Sequence, residues 1–474
     1  GTPTPRPLYR GDMTEQRAID ADYVVVGAGA MGMAFVDEIL THSDADVVMI
    51  DEHGAPGGHW NDAYPFVRLH QPSFFYGVSS TRLGSDRIDD VGLNAGLSEL
   101  ASGAEVCAYF DQVMHRRFLP SGRVRYLPRT RYESGRATVL PSGTDIEVSG
   151  RRAVVDATYM KVTVPSVRPP DYDVDAGVVV IPPNDLVHVE RPAGGYVVVG
   201  AGKTAFDAIL WLLDRSVDPS AVQWVVPRDS WLINRAMTQP GPLFRIGEQI
   251  ALIADAASPA EMFSRLESAG QLLRIDPDRE PEMYRCATVT EAELHQLRRI
   301  DRVIRLGRVR RLTVERMELD DGTIDTPDEV VYVNCTADGL ERRPIVPVFD
   351  DGTITLQTVR ACQQVFSAAL IGRVETLPEI DRATKNELAT VIPHPDTPHD
   401  FLTGTLAHIH NMGRWSQHAE LAAWMAGTRL SPGSLADDDE AAGDRGLELE
   451  TAIRAAVNRD GFIAAADSGP AMTV

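Results

Sequence analysis

The chain has 474 residues, of which 43% are hydrophobic and 24% charged, with 46 Lys and Arg against 68 Asp and Glu. That length exceeds what one hydrophobic core organises, so two or more domains are expected. A formal net charge of −22 with no basic run argues against a nucleic-acid binder, and the apolar runs are too short and glycine-broken to span a membrane. The polar opening segment, GTPTPRPLYRGDMTEQ, lacks the apolar core of a secretory signal. Cys107, Cys286, Cys335 and Cys362 are widely spaced, with no CxxC. Neither a redox dithiol nor a thiolate metal site is expected, and isolated thiols suit a reducing, cytoplasmic setting.

In chain order, Tyr23–Val26 reads as a short buried strand, Gly27-Ala28-Gly29-Ala30-Met31-Gly32 as a tight turn, and Met33 to Leu40 as a helix. Val47–Ile50 is a second strand ending in Asp51. This is the context a GxGxxG fingerprint needs. Gly27 allows the turn, Gly29 admits a pyrophosphate and Gly32 lets helix and strand close. The helix N-terminus offers unpaired N–H groups to phosphate, and Asp51 stands where a ribose hydroxyl would bind. A purely structural α/β unit leaves Asp51 unexplained.

Gly54-Ala55-Pro56-Gly57-Gly58-His59-Trp60 comes next, then Tyr64-Pro65-Phe66-Val67-Arg68-Leu69-His70-Gln71-Pro72. With the preceding strand, GxGxxG, strand and acid, this Gly-Gly-x-Trp segment resembles the flavin-dependent monooxygenases that carry two nucleotide-binding domains. They include Baeyer–Villiger, N-hydroxylating and S- or N-oxygenating enzymes. The resemblance implies FAD lined by Gly58, His59, Trp60, Leu69, His70 and Gln71. Trp60 and Tyr64 also read as core packing, and His70 as either catalytic or structural. A helix from Glu105 to about Phe118 and strands at 122–127 and from Arg131 resemble the segment that holds the adenine. Val154–Thr158 resembles the return strand near the pyrophosphate.

The unit recurs. Tyr196–Val199 is a strand, Gly200-Ala201-Gly202-Lys203-Thr204-Ala205 a turn, Phe206–Leu213 a helix and Val222–Val226 a strand. Such duplication is informative. Ala205 replaces the third glycine and is small enough for close packing. No acid stands directly after the second strand. Arg228 is there instead, suited to the 2′-phosphate of NADPH or simply to a pair with Asp229 or solvent. Lys203 and Thr204 adjoin the expected phosphates, and the resemblance implies NADPH here.

Residues 236–300 read as a charged helical insertion, with Trp231, Asn234, Arg235 and Met237 as pocket candidates and Phe244-Arg245 in a Gly/Pro-rich stretch. Beyond it lie a strand region at Arg302–Leu312, a hairpin turn at Leu319–Thr323 and a strand at Val330–Ala337. Phe366–Arg373 resembles a late flavin-contacting segment, without the usual Gly-Asp pair. His408, His410, Asn411, Arg414, Trp415 and His418 form the densest polar-aromatic cluster, with His408 and His410 sharing one side of a strand and no metal required. A helix is expected over Ser416–Met425, then a surface tail.

The expected fold is α/β with two Rossmann-like dinucleotide-binding domains. FAD takes residues 20–185 and 341–430, NAD(P)H takes 186–340, and 431–474 is a tail. The implied reaction is oxygenation of a small organic substrate by NADPH, FAD and oxygen through a flavin C4a-(hydro)peroxide. His70, Arg235 and Arg414 are the candidates near the reacting atoms. An oxidase or dehydrogenase with a silent nicotinamide site is the alternative. A disulfide reductase lacks its CxxxxC, and a non-enzymatic redox sensor leaves the insertion unused. Whether the chain forms a homo-oligomer is left open.

Overall fold

The computed structural model describes residues 18–240, 252, 256, 258–337, 339–341 and 343–431. The expected Phe244-Arg245 stretch and nearly all of the tail lie outside these residues. Two parallel sheets organise the rest. In the first, the strand Ala18–Val26 lies between Val47–Ile50 and Thr144–Asp156, with Val124–Leu127 beyond one and Thr353–Thr355 beyond the other. The Tyr-Val-Val run is buried on both faces because helices cover one side and an antiparallel meander the other. The strand Thr353–Thr355 and the helix Gln364–Glu375 come from the C-terminal third, so this sheet is built from both ends of the chain.

The helix Gln364–Glu375 is apolar around most of its circumference, and every residue from Val365 to Val374 is buried. It packs on the helix Ala30–His42, where a side chain at Gly372 would press on the Phe35 carbonyl. Phe366–Arg373 is therefore the buried interior of a helix.

The second sheet has the order Arg302–Ile304, Val222–Val225, Tyr196–Val199, Val331–Asn334, Val179–Ile181, all parallel. Its edge strand, Val179–Ile181, lies before the boundary expected at 185/186. The Leu319–Gly322 turn does join two antiparallel strands.

Four expectations are corrected. The 236–300 segment is not wholly helical. Pro259–Ser268 and Glu291–Leu297 are helices, but Met283–Val289 is a strand beside Ser230–Asn234. Buried Tyr284 and Cys286 alternate there with half-buried Met283 and Arg285, a period of two amid charged neighbours. His408 and His410 lie on the helix Pro398–Gln417, which starts at a Thr397–Asp400 capping box, so residues two apart point about 200° from one another. The helix expected from Ser416 is two helices meeting at His418. Finally, the cysteines are not all isolated. Cys286 and Cys362, 76 residues apart, form a disulfide with Cα atoms 6.5 Å apart, while Cys107 and Cys335 are free. Among the described residues no helix is long and apolar enough to cross a membrane.

Candidate functional site

The first glycine turn is closed on three sides. Gly27 donates its N–H to the Ile50 carbonyl at 2.7 Å, and a Cβ on Gly32 would overlap the Gly27 carbonyl oxygen. The helix Ala30–His42 begins with no side-chain cap on its first N–H groups, the arrangement that accepts an anion. Above the turn, Gly57 donates to the Ala28 carbonyl at 2.9 Å, and a Cβ on Gly58 would sit 3.0 Å from the Gly29 Cα. The Gly-Gly turn thus lies directly on the fingerprint turn.

Asp51 is buried, and it accepts from the Ala28 N–H at 2.6 Å and the His53 N–H at 2.7 Å. The His53 ring bridges Asp51 at 3.0 Å and Asp62 at 2.7 Å. Those carboxylates, Asp51 foremost, push His53 up to about 9. His53 went unnoticed in the sequence; its position two residues after the strand-ending acid was the available signal.

Trp60 donates to the Tyr76 hydroxyl at 2.7 Å, with the rings edge-to-face at 5.9 Å. Burial pushes His59 down to about 4. Leu69 belongs to the core, and Gln71 is half-buried. His70 is pushed down to about 3 by burial first, then by Lys203 and Arg235. Arg131 is exposed and pairs with Glu52 at 2.9 Å.

The second turn is open. Gly200 has φ +129°, and a Cβ there would meet the Cys335 carbonyl oxygen at 2.7 Å, but among the described residues nothing lies within 4 Å of one on Gly202. The helix Lys203–Asp214 also starts without a side-chain cap. Lys203 pairs with Asp207, whose other oxygen accepts from the Tyr64 hydroxyl at 2.7 Å. Thr204 is half-buried and Ala205 fully buried. Arg228 pairs with buried Asp396 at 3.2 Å, and Arg285 reaches the same carboxylate at 2.7 Å. Asp229 is taken by Arg305 instead.

The segment from Gly57 to Gln71 runs from one turn to the other. Gly58 lies on Gly29, Tyr64 bonds to Asp207 on the second helix, and His70 hands its carbonyl to Arg235 at 3.1 Å.

Of the residues expected near reacting atoms, Arg235 and His70 are joined and Arg414 contacts other residues. Arg235 is fully buried. Besides His70 it donates to Asn94 at 3.1 Å and to both Glu293 oxygens at 2.8 and 3.1 Å. Its guanidinium joins the first-domain loops to the insertion. Arg414 lies half-buried on its helix, against Thr390 at 3.2 Å and Glu387 at 3.6 Å. Trp231 is core, stacked on Phe263 at 5.3 Å, and Asn234 donates to the Gly270 carbonyl at 2.8 Å and accepts from the Ala236 N–H at 3.1 Å. His70 is coupled electrostatically to Lys203 of the second turn and to Arg235.

Sequence reasoning also passed over Arg360. This guanidinium is buried, lies 4.4 Å over the Phe366 ring and has Ser431 as its hydrogen-bond acceptor at 3.1 Å. Burial pushes it down to about 10. No local pattern marks a buried arginine in an apolar stretch.

No protein-family model matches the chain. It is 49% identical over 438 residues to "Uncharacterized protein Rv2000" of Mycobacterium tuberculosis (strain H37Rv), covering 91% of this chain and 81% of that one. The same figures hold for "Uncharacterized protein Mb2023" of Mycobacterium bovis. Among solved structures, an open form of cyclohexanone monooxygenase is 14% identical, with TM-score 0.49, over 85% of this chain and 98% of that one. A polycyclic ketone monooxygenase from the fungus Thermothelomyces thermophila is 12% identical, with TM-score 0.49, over 94% and 90%.

Proposed function

Because this chain belongs to the family of these uncharacterized mycobacterial proteins, its own geometry carries the functional reading, and we propose that it is an FAD-dependent monooxygenase. NADPH is the reductant, and the substrate is a small organic molecule that receives one atom of dioxygen. The observation that carries this reading is the Gly57–Gln71 segment. It leaves a closed glycine turn with a buried acid, bonds through Tyr64 to the helix that starts at the open one, and ends on Arg235. Two dinucleotides so arranged share one wall, as hydride transfer between them requires.

The first turn fits FAD by its donor set: uncapped helix N–H groups for the pyrophosphate and the Asp51 carboxylate for a ribose. In this reading the FAD domain takes residues 20–178 and 341–430, and the nicotinamide domain takes 179–340, since the strand Val179–Ile181 belongs to the second sheet. FAD, when bound, supplies the hydride acceptor and the dioxygen chemistry. The chain holds it with Gly27, Gly29, Gly32 and Asp51. The Trp60–Tyr76 pair orients the wall beside Gly58, and Leu69 keeps water out. His70 stays neutral beside Lys203, so it presents an uncharged ring at the second turn. Gly200, Gly202, Lys203, Thr204 and Arg228 form the nicotinamide side. Asp396 holds Arg228 ready, with Arg285 supplying a second cation to the same carboxylate.

One finding favours a second reading, an oxidase or dehydrogenase that makes no use of nicotinamide. Lys203 and Arg228 already have acid partners. Anaerobic stopped-flow absorbance on the FAD-loaded protein separates the two. Bleaching of the oxidised flavin band by NADPH, faster than by NADH, is expected, with oxygen then incorporated into an added ketone, thioether or amine. If neither nucleotide bleaches it, the NADPH reading is overturned and candidate substrates are tested as direct reductants.

A further inference from the structure

A cleft of about 610 Å³ opens between the Pro65–Phe66 segment and the outer face of the helix Lys203–Asp214. It contains no residue of either glycine turn. Tyr196, at the start of its strand, and Arg215, just past the end of the helix, put it at the opposite end of the second strand–helix unit from Gly200–Lys203. The helix has 12 residues, which sets the two ends about 18 Å apart. The chain bridges that length. Tyr64 bonds to Asp207 in mid-helix, and Phe66 stacks on Trp211 one turn later, at 5.3 Å and 26°.

The inner wall is apolar: Phe66, Val187, Val189, Trp211 and Leu212. The mouth is cationic. Arg215 lies over the Trp211 ring at 5.5 Å, and Arg191 donates to the Arg215 carbonyl at 2.6 Å. That bond caps the helix, and a cation near a helix C-terminus is favourable on its own. Capping explains one donor. Two guanidiniums carry five N–H donors each, and among the described residues the Arg191 bond is the single one made to protein by this pair. Among the same residues neither arginine forms an ion pair, although Glu190 and Asp214 adjoin them in sequence and the chain has 68 acids to 46 bases. Both arginines line the cleft, and a carboxylate there offsets their positive charge.

We propose that this cleft binds an apolar monocarboxylate, its hydrocarbon part against Phe66 and Trp211 and its carboxylate between Arg191 and Arg215. The site is independent of the oxygenase reading. Because its walls come from the segment leaving the first turn and from the helix starting at the second, an occupant fastens one to the other.

The test is calorimetric titration of the full chain, without NADPH, using decanoate and its uncharged counterpart decanol. Trp211 fluorescence is followed in parallel. Saturable decanoate binding at least tenfold tighter than decanol is expected. The Arg191→Gln/Arg215→Gln variant should lose that preference while remaining folded by circular dichroism and retaining its FAD content. Trp211→Phe should keep the preference and abolish the fluorescence change, which separates this cleft from any other fatty-acid site. Equal affinities for the two probes, unchanged decanoate binding in the double glutamine variant, or no saturable binding by the wild type would each overturn the proposal.

Discussion

The two glycine turns start from nearly the same sequence and end in different surroundings. At the first, a second glycine pair folds back onto the turn and a buried carboxylate sits beneath it. At the second, nothing among the described residues lies over Gly202, Lys203 is held by Asp207 of its own helix, and Arg228 is held by the distant Asp396. A turn roofed by its own chain suits a group that is bound once and kept. An open turn whose charges wait in ion pairs suits one that enters and leaves. The difference comes from the stretch of chain after each unit, Gly57–Gly58 in one case and the edge of an insertion in the other.

Substitutions at the two turns should break this symmetry most visibly. Gly32→Val drives a side chain into the Gly27 carbonyl, and loss of essentially all bound flavin is expected, read as flavin absorbance per chain after gel filtration. Gly202→Ala enters open space and should leave flavin content intact. Similar flavin loss in both would end the distinction between closed and open turns.

Next in size is the joint between the two halves. Arg235→Met leaves the buried Glu293 carboxylate unpaired, and such a break costs about 3–5 kcal/mol. Urea unfolding should show it as a lower midpoint. A change within error would mean that Arg235 does not hold the insertion in place.

Asp51→Asn should weaken FAD binding roughly tenfold, the scale of one charge-assisted hydrogen bond, measured by fluorescence titration of the apoprotein. It should also flatten a pH response. His53 rises from 6.5 to about 9 in the folded chain. Its stabilising contribution is therefore complete below pH 6.5 and is lost as pH climbs through 9. Melting temperature should fall across that window in the wild type and less so in His53→Gln. His59 and His70 act on the acid side. Both are held neutral, so stability is lost as pH falls below 6.5 toward 4 and 3.

The smallest effect is expected at Arg228. Arg228→Gln should raise the KM for NADPH several-fold, by roughly 1 kcal/mol, and leave that for NADH unchanged. Equal changes for both nucleotides would show that the Asp396 pair is structural.

Both strand–turn–helix units were legible in the sequence because each is local. An apolar strand, glycines at fixed spacing and a helix start within a dozen residues report the backbone directly. Charged side chains were not legible in the same way. The partners of Arg228 and Arg235 lie 168 and 58 residues away, and a sequence window cannot tell a committed guanidinium from a free one. Asp229, the near neighbour, loses Arg228 to Asp396 because Arg305 reaches it first. The strand Met283–Val289 was hidden for a related reason. Its alternation is short, and its charged surroundings read as helix until its pairing with Ser230–Asn234 is known. The histidines at 408 and 410 were misread because the capping box that starts their helix stands a full two turns upstream.

The first sheet is closed by a strand and a helix from the far end of the chain, while the second is assembled from the uninterrupted stretch 179–334. On a ribosome the second sheet is complete once residue 334 has emerged. The first must wait, with the helix Ala30–His42 exposing the face that later meets Gln364–Glu375. Its folding is therefore expected to be the slower event, since contacts so distant in sequence form late, and its unprotected apolar face is where aggregation of a nascent or truncated chain should begin.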